Sequence, residues 1–109
     1  MAAIDDESFV NATAEVHFGD EGSVVIRVTG EIDIATADII RQAVAVATEP
    51  RPARLVFDLL AVDFIDSSGL AVLLEAAKTA DSVRIDPASN IVRRVIEATG
   101  LSEMFGMGI

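Results

Sequence analysis

Apolar and polar residues alternate from Ala12, with Ala14, Val16 and Phe18 on one face and Thr13, Glu15 and His17 on the other. After Gly19-Asp20-Glu21-Gly22 the alternation resumes over Ser23 to Thr29, where Val24, Ile26 and Val28 oppose Val25, Arg27 and Thr29. Two period-2 runs joined by a glycine-bounded tetrapeptide predict a β-hairpin. Gly30-Glu31-Ile32-Asp33 breaks the alternation. Beyond it Ile39, Ile40, Ala43, Val44 and Ala47 form a helical stripe, with Thr36 as the expected N-cap and Asp38 near the positive helix end. Pro50-Arg51-Pro52 stops that helix, and Arg54 to Leu60 is apolar enough to predict a strand buried on both faces.

A loop over Ala61–Asp66 leads to a second helix expected from about Ser67, with Leu70, Leu73, Leu74 and Ala77 inward. A short strand follows at Val83–Ile85. Pro87 and Ser89 or Asn90 then open a third helix, with Val92, Val95 and Ile96 inward and Arg93-Arg94 outward. Gly100 is placed to end it as a C′ glycine, with Leu101 making the accompanying apolar contact. The predicted order is β-β-α-β-α-β-α. Residues 1–11 are acid-rich and lack a period, which predicts a loose N-terminal segment ahead of one domain over 12–109.

At 109 residues the chain has room for one core, and its 51% apolar content is dominated by Val, Ile, Leu and Ala, with no Trp or Tyr. An aliphatic, β-branched core suits a sheet covered by helices. No run approaches the roughly 18–20 apolar residues that span a bilayer. The start Met1-Ala2-Ala3-Ile4-Asp5-Asp6-Glu7 has acids where a signal peptide needs bases, and there is no cysteine. These features predict a cytoplasmic protein without membrane insertion, disulfides or a thiolate metal site. A net charge of −10 repels phosphate backbones and anionic lipid, so direct nucleic-acid binding is not expected. The same charge is compatible with a basic protein partner.

The stretch from Leu55 to Leu70 carries the informative chemistry. A buried strand runs into a turn, Asp66 caps the next helix, and Ser67, Ser68 and Gly69 form its first turn. The amides of a helix N-terminus lack intrahelical partners and favour negative charge there. A phosphate on a first-turn serine is therefore tolerable, and it adds about −1.5 to −2 charge beside Asp63 and Asp66. Gly69 keeps the turn free of bulk, so that another backbone can approach. An ordinary capped helix start satisfies the same local chemistry. Asp58, Asp63 and Asp66 place three carboxylates within nine residues, enough to consider a Mg²⁺ site. With no Gly-rich phosphate loop, no basic residue nearby to hold a phosphorylated substrate and no Ser/His/Asp set, neither a metal, a cofactor nor catalysis is expected. His17, the single histidine, reads as a solvated strand residue, and Arg93-Arg94 as solvated charges on an amphipathic helix.

Three spaced motifs together resemble the STAS family (sulfate transporter and anti-sigma factor antagonist domain), in particular its anti-sigma factor antagonists. Gly30-Glu31-Ile32-Asp33 is similar to the family's Gly-Glu-Leu-Asp. Phe57-Asp58-Leu59 with Phe64-Ile65-Asp66-Ser67-Ser68-Gly69-Leu70 is similar to its strand, loop and phosphorylation site. Arg93-Arg94-Val95-Ile96-Glu97-Ala98-Thr99-Gly100-Leu101 is similar to its last helix and stop. The resemblance implies an α/β, STAS-like mixed sheet of four to five strands with helices mainly on one face. It also implies an antagonist that binds an anti-sigma factor kinase, of the histidine-kinase-like ATPase type, and so releases a sigma factor. Phosphorylation of Ser67 would switch it off, and a PP2C-type phosphatase would reset it. The implied partner surface comprises Glu31, Asp33, Asp66, Ser67, Ser68 and Gly69. The alternative the resemblance leaves open is a non-catalytic subunit docking on a transporter ATPase. The chain departs from the family in a shorter stretch between Leu74 and Pro87, and in ending soon after the third helix. The second departure predicts a sheet edge or helix face left uncovered.

Overall fold

A computed structural model describes residues 11–107, in the order β1 (Ala12–Phe18), β2 (Ser23–Ile32), α1 (Ala37–Ala47), β3 (Arg54–Ile65), α2 (Ser67–Ala76), β4 (Ser82–Ala88) and α3 (Asn90–Thr99). The expected loose segment over 1–11 lies outside the described residues except for Asn11, whose carbonyl accepts from the Glu31 amide at 2.7 Å. Among the described residues the strands form one mixed four-stranded sheet, β1-β2-β3-β4. β1 and β2 are antiparallel, and β2-β3 and β3-β4 are parallel.

One face of this sheet is dry. Val24, Ile26 and Val28 of β2, Leu55, Phe57 and Leu59 of β3, and Val83 and Ile85 of β4 are buried in a single core with all three helices. Their alternates on the other face, including Arg27, Arg84 and Asp86, reach water, since no described helix covers that face. β3 is therefore not buried on both faces as its composition suggested. Asp58 projects to the open side and pairs with Arg27 at 3.2 Å.

Two strands outrun their sequence signals. β2 continues through Gly30 to Ile32, and β3 continues through Ala61–Ile65 where a loop was expected. Their parallel pairing carries Glu31 opposite Phe64 and Ile32 opposite Ile65, with register shifts between Arg27 and Thr29 and between Gly30 and Glu31. Such shifts preserve the backbone ladder while breaking side-chain alternation, which hid both extensions. Gly30 takes φ +92°, and a Cβ there would collide with the Asn11 carbonyl.

The buried face of α2 is Gly69, Val72, Leu73 and Ala76, with Leu70, Leu74 and Ala77 only half-buried. It is turned by about one residue, roughly 100°, from the expected stripe. The helix is apolar nearly all round, so periodicity had no polar side to read. β4 extends to Ala88 and takes in Pro87, tolerated at the sheet's last strand, instead of Pro87 opening α3. Ser89 caps α3, its Oγ accepting from the Val92 amide at 3.3 Å. Gly100 at φ +77° closes it, with Leu101 N–H donating to the Ile96 carbonyl and Gly100 N–H to Glu97.

The segment after α3 corrects the expectation of an uncovered edge. Phe105 is fully buried, and its carbonyl accepts from the outward amide of Ile85 in β4 at 2.9 Å. Arg41 links α1 to α2 through Glu75 at 3.1 Å and also holds Asp38 at 3.0 Å. Those hydrogen bonds keep its guanidinium above the usual arginine range. No helix among the described residues is long and apolar enough to cross a membrane.

Candidate functional site

Because β2 and β3 run in parallel side by side, the segments that follow them emerge at the same end of the sheet. That juxtaposition builds the site. After β3, Asp66 takes an extended conformation (φ −119°, ψ −170°) and caps α2. Its Oδ1 accepts from the amides of Ser68 at 2.9 Å and Gly69 at 3.1 Å, and its carbonyl accepts from Leu70 N–H at 2.9 Å. The expected cap is thus present. Any negative charge added at this helix start would meet a carboxylate that already holds two amides, so repulsion from Asp66 would offset the attraction of the helix dipole.

Ser67, the first residue of α2, is exposed, whereas Ser68 is half-buried. Gly69 is buried. A Cβ on it would lie 2.6 Å from both Cγ2 and the carbonyl oxygen of Ile32. Its lack of bulk serves an approach within this chain, between α2 and the end of β2. The close approach expected at Gly69 is thus made by Ile32 of the same chain.

The segment after β2 is held from several sides. The Ile32 carbonyl accepts from the Asp66 amide at 3.2 Å, joining the two segments directly. Asp33 Oδ1 accepts from the amides of Ala35 and Thr36 at 3.0 and 3.2 Å. The Thr36 hydroxyl donates to the Glu31 carbonyl at 2.7 Å and accepts from Asp33 N–H at 3.0 Å. Thr36 occupies the N-cap position of α1, as predicted, but makes no side-chain cap bond. Its buried hydroxyl faces back into the loop. The Asp33 carboxylate is likewise engaged locally, while Glu31 is half-buried opposite Phe64.

The sequence reading passed over two side chains here. Ile34 is 80% exposed and Phe64 44% exposed. Ile34 lies just beyond the motif that drew attention, and no periodicity marks a lone apolar residue in a turn. Phe64 was noted only as part of a motif.

Asp66 commits its Oδ1 to amides, and His17 lies on β1 opposite Val25, toward the other end of β2. Asp58 is engaged by Arg27 and the Leu60 amide. Among the described residues, no group of three or more acidic, His or Cys side chains is placed to hold a metal.

The family profile described as STAS domain matches residues 12–108. The chain is similar to anti-sigma-F factor antagonist RsfB of Mycobacterium tuberculosis, 34% identical over 87 residues, covering 77% of this chain and 71% of that protein. It is also similar to the anti-sigma-B factor antagonist of Listeria monocytogenes, 31% identical over 99 residues and 87% of each chain. The crystal structure of an anti-sigma factor antagonist from Mycobacterium paratuberculosis superposes with a TM-score of 0.74 at 35% identity, covering 87% of this chain and 83% of that one.

Proposed function

This chain belongs to the STAS domain family, and from that premise we propose that it is an anti-sigma factor antagonist switched by phosphorylation of Ser67. Unmodified, it binds an anti-sigma factor that is also a serine kinase of the histidine-kinase-like ATPase type, and the sigma factor goes free. Phosphorylated on Ser67, it releases that partner, and a PP2C-type phosphatase restores it. It acts in the cytoplasm and contributes no catalysis of its own.

The observation that carries this reading is the exposure of Ser67 at the start of a capped helix, beside a second segment fastened to it through Ile32. A kinase reaching Ser67 meets both segments together. In the transfer, Ser67 Oγ bonds to the γ-phosphorus of ATP as the bond to ADP breaks. The hydroxyl proton passes to a base of the kinase. The names of the relatives support the choice of partner.

Incubation with the cognate anti-sigma factor and ATP, followed by intact-mass analysis, tests the reading. One phosphate is expected, absent in Ser67→Ala and retained in Ser68→Ala. Labelling that survives in Ser67→Ala would overturn the assignment.

A further inference from the structure

Ile34 stands out in water on a loop in which the Asp33 carboxylate and the Thr36 hydroxyl are tied down. The Asp33 carboxylate holds the amides of Ala35 and Thr36, and the Thr36 hydroxyl holds Glu31 and Asp33. An 80% exposed isoleucine on such a scaffold loses little conformational freedom when it is covered. Phe64 lies opposite Glu31 on the adjoining strand and is also partly exposed. Both belong to the end of the sheet that carries Ser67.

The charge around them is of one sign. Glu31, Asp33, Asp63 and Asp66 belong to these segments, no Lys or Arg occurs in residues 28–40 or 55–77, and Arg41, which follows, is paired with Asp38 and Glu75. A second copy of this chain docking here would set like charges against one another, and an anionic lipid surface would be repelled. A basic protein surface would be attracted. Apolar anchors inside a charged rim are the usual division between residues that hold a partner and residues that steer it.

We propose that Ile34, with Phe64 at the same end of the sheet, is the apolar anchor of the partner surface, and that its occupant is an apolar pocket rimmed by Lys and Arg on the anti-sigma factor. This rests on the reading of Ser67 as the partner-facing switch. Ile34 supplies affinity that does not depend on the charge at Ser67.

Titration calorimetry of the unphosphorylated full chain with the purified anti-sigma factor tests it. Ile34→Ala should weaken binding about tenfold or more. It should raise KM for Ser67 phosphorylation with kcat unchanged, and leave the melting temperature of the free chain where it was. Phe18→Ala, at the opposite end of the sheet, and Val46→Ala, in the last turn of α1, remove other exposed apolar side chains and should bind like the parent. If Ile34→Ala binds like the parent while Ser67→Asp does not, the anchor is overturned and the switch stands. If all three apolar truncations weaken binding equally, the contact is unspecific and the anchor is overturned. If sedimentation shows the chain alone dimerising through Ile34, the occupant is a second copy and the proposal fails. If the parent neither binds the anti-sigma factor nor is phosphorylated by it, both readings fall.

Discussion

Gly69 lies against Ile32 so closely that a Cβ on the glycine would be 2.6 Å from the isoleucine's carbonyl oxygen. The obstacle includes backbone, which cannot swing aside as a side-chain tip can. Gly69→Ala should therefore push α2 away from the end of β2 and cost about 1–3 kcal/mol, the usual range for overpacking. Urea unfolding followed by circular dichroism measures this. A variant as stable as the parent would mean that the two segments have slack between them.

Asp66 caps α2 with one oxygen shared between the Ser68 and Gly69 amides. Asp66→Ala removes that acceptor and should lower stability by about 0.5–2 kcal/mol, whereas Asp66→Asn, also a good cap, should lose much less. Thermal melts of the pair separate capping from charge. Equal losses in both variants would point to the carboxylate's charge instead of its hydrogen bonds.

Ser67 is exposed at the first position of that helix. A carboxylate there adds to the charge of Asp66 and Asp63, which a docking partner must already match. The extra charge is desolvated and unpaired when the surfaces close. Ser67→Asp should accordingly bind the anti-sigma factor at least a hundredfold more weakly, equivalent to about 3 kcal/mol. Ser67→Ala should form a tight complex that ATP does not dissolve. Calorimetric titration giving equal affinities for the two variants would remove Ser67 as the switch.

Phe105 is fully buried and brings its carbonyl to the Ile85 amide on the outer edge of β4. Phe105→Ala should cost about 3–5 kcal/mol through lost burial and the cavity left behind. Hydrogen exchange should also show faster exchange at Ile85, whose amide would lose its cover. Protection at Ile85 unchanged from the parent would mean that the edge is closed without this side chain.

Much of this architecture is written in local pattern. The alternation around Val24, Ile26 and Val28 fixed a strand and its inward face, because a half-buried strand has a strict period of two. The stripe through Ile40, Ala43, Val44 and Ala47 fixed the buried face of α1 in the same way. Asp66 and Gly100 announced a helix start and a helix stop, since capping depends on residues within a turn of the terminus. Ser67, its cap and the Gly30–Asp33 motif were therefore legible as separate pieces. Tertiary structure decided what joined them. Parallel pairing of Ile32 with Ile65 and the Asp66–Ile32 hydrogen bond bring two segments more than thirty residues apart to one end of the sheet. The close approach at Gly69 is made by Ile32, and only the path of a distant strand determines what occupies the space a Cβ would take. The same holds for Ile34. Whether an isoleucine in a turn is covered depends on every element that might reach it, and among the described residues none does.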